Sequence, residues 1–414
     1  MRMMMSQSTN TLASPLASSL NTRDAGARLL PAVLLLTDSD SYNGTERHIM
    51  DLASGLRALD APVTIGCPAD SPLASKAIQD GFITIGIEKR GAFDLTAVRQ
   101  LQTLLRTHQI DIIHAHNGRT GVLAGMAAGL AGRGACITTQ HFIEPARASR
   151  RGLSALVSRQ IHAFAGRKLA HVIAVSEAAR RGIIGRGEMP PHKVSVVPNG
   201  IVAPNVQTLT PPEQVRASLG VSPATPLVVC VARLEVEKDI SSLIRAMVLL
   251  TASFPECQCV VAGEGSERKH LEALIASERM EANVRLLGYR SDALSLINAS
   301  DVLVLPSLSE PFGLVLLEAM ALAKPVVATT AGGPLEIVLQ GLTGLLSPPS
   351  KPAALAESLL SVVADPERAT KMGRAGQERY WEKFTAKAMA ASVLDIYVRS
   401  FRPRPEAALE GSAV

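Results

Sequence analysis

The sequence predicts an α/β protein built from two doubly wound, Rossmann-like domains facing a cleft. Three observations predict it. Short apolar runs alternate with longer stretches of helical period, which is the mark of right-handed βαβ units on a parallel sheet. The alternation breaks once, at Ala203–Pro212 (APNVQTLTPP), and then restarts. At 414 residues the chain exceeds one ordinary domain, and two domains of about 150 to 200 residues are the default.

Residues 1–28 are rich in Ser, Thr and Asn, with no apolar run long enough for a signal peptide, and read as a disordered tail. A first domain, 29–202, follows. Its expected strands are Ala32–Leu36, Val63–Cys67, Ile83–Ile87, Ile110–His114, Ala135–Thr139, Val172–Val175 and Val194–Val197. Helical patterns lie between them at Thr45–Leu59, Leu95–Thr107, Arg119–Ala131 and Arg151–Ala165. After a linker over 203–213, a second domain over 214–385 has expected strands at Leu227–Val231, Cys259–Ala262, Val284–Leu287, Val302–Leu305 and Val326–Ala328. The chain is then helical at Ala353–Val363, Pro366–Gly376, Gln377–Phe384 and Ala386–Phe401. The helix over 386–402 could pack back on the first domain, and 403–414 reads as a second disordered tail. In such a fold, ligands bind at the carboxyl ends of the strands, in the cleft.

Composition excludes several classes. Hydrophobic content of 47% with 19% charge is globular, and no apolar stretch is long enough to span a membrane. Aromatics at 3% are too few for the stacking platforms of a single-stranded nucleic-acid binder. A net charge of +5 suits an anionic small molecule or surface and is too weak to indicate nucleic acid. The five cysteines, Cys67, Cys136, Cys230, Cys257 and Cys259, are scattered. Cys257 and Cys259 would share a strand face without the second pair a zinc site needs, so buried free thiols in a reducing cytosol are expected.

Two familiar nucleotide loops fail. Gly263-Glu264-Gly265 runs on to Arg268 where a dinucleotide loop needs its third glycine, and no Gly-Lys dipeptide exists for a Walker loop. Asp38-Ser39-Asp40 faintly suggests a metal loop, but its twelfth position is Ile49, where calcium requires Glu. A polar strand-to-helix loop is the better reading.

The most informative stretch runs from Pro306 to Leu346. A strand enters a loop holding Glu310, a helix begins near Phe312-Gly313, and Glu318 lies about five residues and about 7.5 Å inside it. A helix start is a ready anion site, whereas carboxylates suit hydroxyl groups; together these point to a sugar nucleotide. Arg233 and Lys238, in VARLEVEKDIS, put two cations at the edge of the second domain, with Arg233 ending a strand and Lys238 opening the next helix. The alternative is a pair of solvated charges beside Glu235 and Glu237. In the first domain Gly44 is slim enough to approach phosphate and Thr45 can cap the helix that follows. His116, closing His114-Ala115-His116, and His141 reach the same strand edge.

With these residues in hand, the chain resembles glycosyltransferase family four, the retaining enzymes of GT-B architecture. The resemblance covers nearly everything between residues 30 and 402. It rests on Asn43-Gly44-Thr45-Glu46-Arg47-His48, His114-Ala115-His116, Pro198-Asn199-Gly200-Ile201, Ala232-Arg233-Leu234 with Glu237-Lys238, and Gly263-Glu264-Gly265. The spacing of Glu310 to Glu318 around Phe312-Gly313, followed by Gly332-Gly333, completes it.

The resemblance implies a retaining hexosyltransferase that needs no metal or other cofactor and uses a nucleotide-diphosphate sugar as donor substrate. The acceptor would be a glycan or lipid-linked glycan in polysaccharide or glycolipid synthesis, with no nucleic acid involved. The first domain would take the acceptor and the second the donor. Arg233 and Lys238 would grip the diphosphate, joined by backbone amides near Phe312, Gly313 and Leu314 and approached by Gly44 and Thr45. Glu318 would hold the ribose, Glu310 the sugar hydroxyls, and the chain at Gly288, Tyr289 and Arg290 the base. His116 would contact the donor sugar near the reacting carbon, and His141 and Asn199 would lie on the acceptor side. Three departures stand out: Asn43 replaces a usual glycine, tolerable if it takes left-handed geometry; Pro311 stiffens its loop; and Val202 stands where an acid is frequent.

Between Pro145 and Ser176, Arg147, Arg150, Arg151, Arg159, Arg167 and Lys168 accompany apolar residues at helical spacing. The 147–168 segment suits an anionic membrane surface on the cytoplasmic face, with a core-facing helix as the alternative. Two rival functions share these features: a sugar-nucleotide epimerase of the same architecture, and a non-catalytic sugar-nucleotide-binding protein.

Overall fold

The computed structural model describes residues 30–87, 94–107, 109–143 and 169–401. Two parallel sheets carry the fold. In the first, β1 (Val33–Leu36), β2 (Val63–Cys67), β3 (Ile83–Gly86), β4 (Ile112–Ala115), β5 (Ala135–Gln140), β6 (His171–Ala174) and β7 (Val194–Val196) lie in the order 3-2-1-4-5-6-7. In the second, β8 (Leu227–Val231), β9 (Gln258–Ala262), β10 (Val284–Gly288), β11 (Val302–Leu305), β12 (Val326–Thr329) and β13 (Gly344–Ser347) lie in the order 10-9-8-11-12-13. β1, β4, β11 and β12 are buried along their whole length, so each reads as a continuous apolar run rather than an alternating one.

Both orders reverse direction at one point, between β1 and β4 and between β8 and β11. Connections on the two sides of that point leave in opposite directions, and the loops after those strands flank a crevice. The sequence places its candidate residues on those four loops.

Helices cover the sheets. The first sheet carries α1 (Gly44–Arg57), α2 (Pro72–Gln79), α3 (Leu95–Arg106), α4 (Gly118–Ala131) and α5 (Glu177–Gly185). The second carries α6 (Pro212–Ser218), α7 (Ile240–Thr251), α8 (Arg268–Ser277), α9 (Ala293–Ala299), α10 (Leu314–Ala321), α11 (Pro334–Ile337), α12 (Pro352–Val363) and α13 (Pro366–Lys383). The last helix, α14 (Ala386–Ser400), returns to the first sheet and lies along α1. Close approach there requires Gly55, because a Cβ at that position would come within 2.2 Å of the Ala386 carbonyl oxygen. Tyr397, fully buried on α14, places its hydroxyl 2.6 Å from His114 Nδ1.

The chain passes between the sheets twice, and the two passages are hydrogen-bonded to each other. Ile201 N–H donates to the Phe384 carbonyl (3.0 Å), Ala386 N–H to the Ile201 carbonyl (2.8 Å), and the Tyr380 hydroxyl to that same carbonyl (2.9 Å).

Several expectations need correction. Pro366–Gly376 and Gln377–Phe384 form one helix; Gly373 and Gly376 do not break α13 but let it pack, a Cβ at Gly373 being 2.0 Å from the Ala323 carbonyl oxygen. Strand β13 and the short helices α2 and α5 were not anticipated, being too short for their periodicity to stand out. Asn43 has extended backbone (φ −127°), not left-handed, and it caps α1, so Thr45 lies inside the helix. Lys238 closes a 3₁₀ turn, Val236–Lys238; α7 starts at Ile240, behind Asp239 at φ 47°. Cys257 precedes β9 rather than sharing its face with Cys259, although all five cysteines are buried and unpaired. The helical pattern at Arg151–Ala165 and the basic 147–168 segment lie outside the described residues.

Candidate active site

A cleft of 1090 Å³ lies between the carboxyl edges of the two sheets. The first sheet contributes Thr37 to Ser39 after β1, the α1 start at Asn43 to Glu46, His116 and Asn117 after β4, and His141 after β5. The second contributes Arg233, Glu237 and Lys238 after β8, and Ser309 to Val315 after β11. Two helix starts meet there: a Cβ built on Gly44, at the first position of α1, would be 3.8 Å from Leu314 Cδ1, at the first position of α10. Unpaired N–H groups and positive dipole ends from both sides therefore face one space, which makes it electropositive before any side chain is counted.

Around Glu310 the loop is over-determined. Its N–H donates to the Ala331 carbonyl (2.8 Å), and its carbonyl accepts from Gly333 N–H (2.8 Å). A Cβ at Gly332, at φ 97°, would lie 2.5 Å from the Glu310 carbonyl oxygen, and one at Gly333 would lie 2.3 Å from Phe312 Cα. The Gly332-Gly333 pair is thus the floor on which the Glu310 loop rests. Glu310 Oε2 accepts from Lys238 Nζ at 2.6 Å and from the Ser307 hydroxyl at 3.1 Å. Leu308 N–H donates to the Glu237 carbonyl, tying the two loops together (2.8 Å). Gly313, at φ 103°, then turns the chain into α10 where a side chain would be strained.

Arg233 lies at the rim, more than half exposed, with its guanidinium 2.6 Å from Glu237 Oε1. An exposed pair of this kind is weak and readily exchanged for a stronger anion. Glu318, one turn into α10, does not line the cleft surface; its Oε1 is 3.7 Å from Arg47 Nη1 on α1. Burial pushes its carboxyl above the usual range, while Arg47 pulls it down. Gly288, Tyr289 and Arg290 also stand apart from the cleft lining. Gly288 ends β10 at φ 75°, Tyr289 is 78% exposed, and Arg290 pairs with Asp292 at 2.6 Å.

The other wall is imidazole. His116 Nδ1 is 3.3 Å from His141 Nε2, and His48 from α1 packs against both rings. Burial, reinforced by the neighbouring rings, lowers the pKa of His116 and His141 well below the ordinary histidine value; burial brings His48 down to about 4. The three rings are therefore neutral at pH 7. Their nitrogens converge closely enough to hold a metal ion, and they equally suit hydroxyl groups. His116 Nε2 has no hydrogen-bond partner among the described residues, and the buried His48 ring lies beside the Asn199 side chain. Asp38, the suspected metal loop, instead accepts from Asn117 Nδ2 (2.6 Å) and Arg119 Nη1 (2.7 Å).

Sequence comparison decides the family. The description Glycosyl transferases group 1 matches residues 212–379, and Glycosyltransferase Family 4 matches 42–203. The alpha-maltose-1-phosphate synthase of Mycolicibacterium smegmatis is 32% identical over 380 residues, covering 86% of this chain and 95% of its own. The chain belongs to glycosyltransferase family 4. The glycogen synthase of Mycobacterium tuberculosis is 31% identical over 304 residues, 72% of this chain and 70% of that one. Among solved structures, Anabaena HepE in complex with UDP superposes with a TM-score of 0.76 at 25% identity, covering 89% of this chain and all of that one (100%). The architecture of this glycosyltransferase is GT-B.

Two residues of this family 4 glycosyltransferase escaped sequence reasoning. His48 and Arg47 follow the Asn43-Gly44 turn, and both were read as part of a motif without a task. The signal was available: on α1, positions 47 and 48 precede Asp51 and Leu52 by one turn, but which way each points depends on α14 and α10, far away in sequence.

Proposed function

We propose that this glycosyltransferase transfers a hexosyl group from a nucleoside-diphosphate sugar to a hydroxyl acceptor, with retention and without a metal. One observation carries the reading: Lys238 and Glu310 meet at 2.6 Å inside a cleft lined by two helix starts, opposite a wall of neutral histidines. Cation and helix dipoles favour the diphosphate; carboxylate and imidazoles favour sugar hydroxyls.

In this reading Lys238 and Arg233 neutralise the diphosphate as it leaves, and Arg233 exchanges Glu237 for phosphate. Backbone amides at Phe312, Gly313 and Leu314 add donors, with Gly44 and Thr45 approaching from the first domain. Glu310 and His116 hold the sugar. Across from Glu310, Asp38 is held by Asn117 and Arg119 and Glu46 by the Asn43 N–H, so in this reading neither serves as the base and a donor phosphate oxygen takes the acceptor's proton on the face from which the diphosphate departs. Glu318 takes the ribose, the backbone at Gly288 to Arg290 the base, and His141 with Asn199 the acceptor. The division of labour follows the sheets, with 29–202 as acceptor domain and 214–385 as donor domain. HepE was solved with UDP, which makes UDP-sugars the first donors to try.

The test is a thermal-shift panel of nucleoside diphosphates and nucleotide sugars, followed by product analysis with and without chelator. A stabilising donor that is hydrolysed or transferred equally well in chelator supports the reading. Conversion of the donor to an isomer would make the protein an epimerase, and binding without turnover a sensor. The acceptor is a glycan or lipid-linked glycan. Among the described residues no helix is long and apolar enough to cross a membrane. A peripheral contact through the basic 147–168 sequence is tested by cosedimentation with anionic vesicles at low salt.

A further inference from the structure

Arg47 links α1 of the first domain to α10 of the second. It sits on α1, with Nε 3.0 Å from Asp51 Oδ2 and Nη1 3.7 Å from Glu318 Oε1 on α10. Asp51 is buried, and its other oxygen accepts from Val202 N–H at 2.9 Å. Val202 directly follows Ile201, whose backbone is bonded to Phe384 and Ala386 in the passage between the sheets. A continuous chain of polar contacts thus runs from Glu318, through Arg47 and Asp51, to the crossover of the chain.

Two consequences follow. Glu318 is a largely buried carboxylate, and the cation it meets comes from the opposite sheet. With Oε1 turned to Arg47, the second oxygen is left to accept from a ligand. Among the described residues, the charged and titratable groups facing this cluster are Asp51 and Tyr42 beside Arg47, Asp51 beside Glu318, and Tyr380, whose hydroxyl is bonded to the Ile201 carbonyl, beside Asp51 and Arg47. Neither acid can replace the arginine: without it, burial and Asp51 both push Glu318 towards the protonated form.

We propose that Arg47 is a positioning residue for the nucleotide-sugar donor: it holds the Glu318 carboxyl oriented to receive the ribose hydroxyls, so that donor affinity depends on the first domain being in place. This rests on the assignment of Glu318 to the ribose. The geometry also gives the link a direction, because α1 starts at Gly44 in the cleft and carries Arg47 only one turn further on.

The experiment measures the donor dissociation constant, KM and kcat for Arg47→Met, Arg47→Lys, Glu318→Gln and the Arg47→Met/Glu318→Gln double variant, with thermal midpoints as folding controls. The donor used is whichever nucleoside-diphosphate sugar stabilises the wild type. Arg47→Met should raise donor Kd and KM about tenfold with kcat within about twofold, and Arg47→Lys should recover most of that loss. In Arg47→Met the donor affinity should begin to fall at a higher pH than in the wild type, because the cation that lowers the Glu318 pKa is gone. In the Glu318→Gln background the second substitution should add nothing. If Glu318→Gln weakens the donor while Arg47→Met does not, the positioning role is wrong and the ribose assignment stands. If neither matters, the ribose assignment itself fails. A loss in Arg47→Met that persists in the double variant would mean that Arg47 touches the donor directly, which also overturns the proposal.

Discussion

Lys238 Nζ lies 2.6 Å from Glu310 Oε2, although the two residues come from different loops at the switch point of the second sheet. Both side chains are largely buried. The pair ties the Glu310 loop to the loop after β8 from within one domain, and in the proposed reading it couples a cation for phosphate to an anion for hydroxyls.

Substituting Lys238 by Met should therefore do two things. Turnover should fall by about a hundredfold, on the order of 3 kcal/mol of lost charge stabilisation as the diphosphate leaves. The fold should weaken as well, because Glu310 keeps only the Ser307 hydroxyl as a partner among its side-chain contacts. Adding Glu310→Gln to Lys238→Met should restore part of the thermal midpoint but none of the activity. Full turnover in the single variant would refute the assignment.

Glu310→Gln and Glu318→Gln should separate. The first removes a charged acceptor beside the sugar and should lower kcat about tenfold or more. The second should act mainly on donor KM. Steady-state kinetics with one identified donor settles the matter, and equal effects on both parameters would undo the division of roles.

Gly333→Ala should destabilise the protein by about 1 to 3 kcal/mol. The added Cβ would sit 2.3 Å from Phe312 Cα, and backbone cannot move aside as a flexible side chain could. Urea denaturation measures the loss. Because Gly333 N–H also holds the Glu310 carbonyl, donor affinity should drop with it.

The histidine wall makes stability depend on pH. Burial lowers the pKa of His48 to about 4 and those of His114, His116 and His141 well below the ordinary value of 6.5. Below pH 6.5 the unfolded chain then binds more protons than the folded one, so stability is complete above that pH and declines as pH falls towards 4. His48 alone accounts for on the order of 3 kcal/mol across that window. Denaturation midpoints at pH 7.5 and 5 should differ in the wild type, and His48→Gln should reduce the difference. Identical midpoints at the two pH values would show the rings to be less buried than their surroundings indicate.

Much of the fold was legible because it depends on local rules. The strands β8 and β11 fall where apolar runs placed them, since a strand covered on both faces needs nothing but apolar residues. The errors lie where local rules compete with packing. The sequence reads as two helices meeting at Gly376 and Gln377, yet α13 runs through, and Gly373 within it is needed for close packing against the Ala323 backbone. Asn43 was excused as left-handed, when its real task is to cap α1.

What the sequence determined by itself is the alternation of strand and helix, and with it the loops on which Glu310, Lys238, Arg233, Gly44 and His116 stand. Those are set by hydrophobic period and by glycine, which act within a few residues. What only the tertiary structure decided is who faces whom. Glu310 and Glu318, read as a pair along one helix start, have separate partners: Lys238 from the same domain and Arg47 from the other. Likewise His48 joins His116 and His141 only because α1 is pressed into place by α14, more than three hundred residues downstream. A pairing across that distance leaves no periodic trace in the chain, because the free energy that selects it comes from burying whole elements against one another.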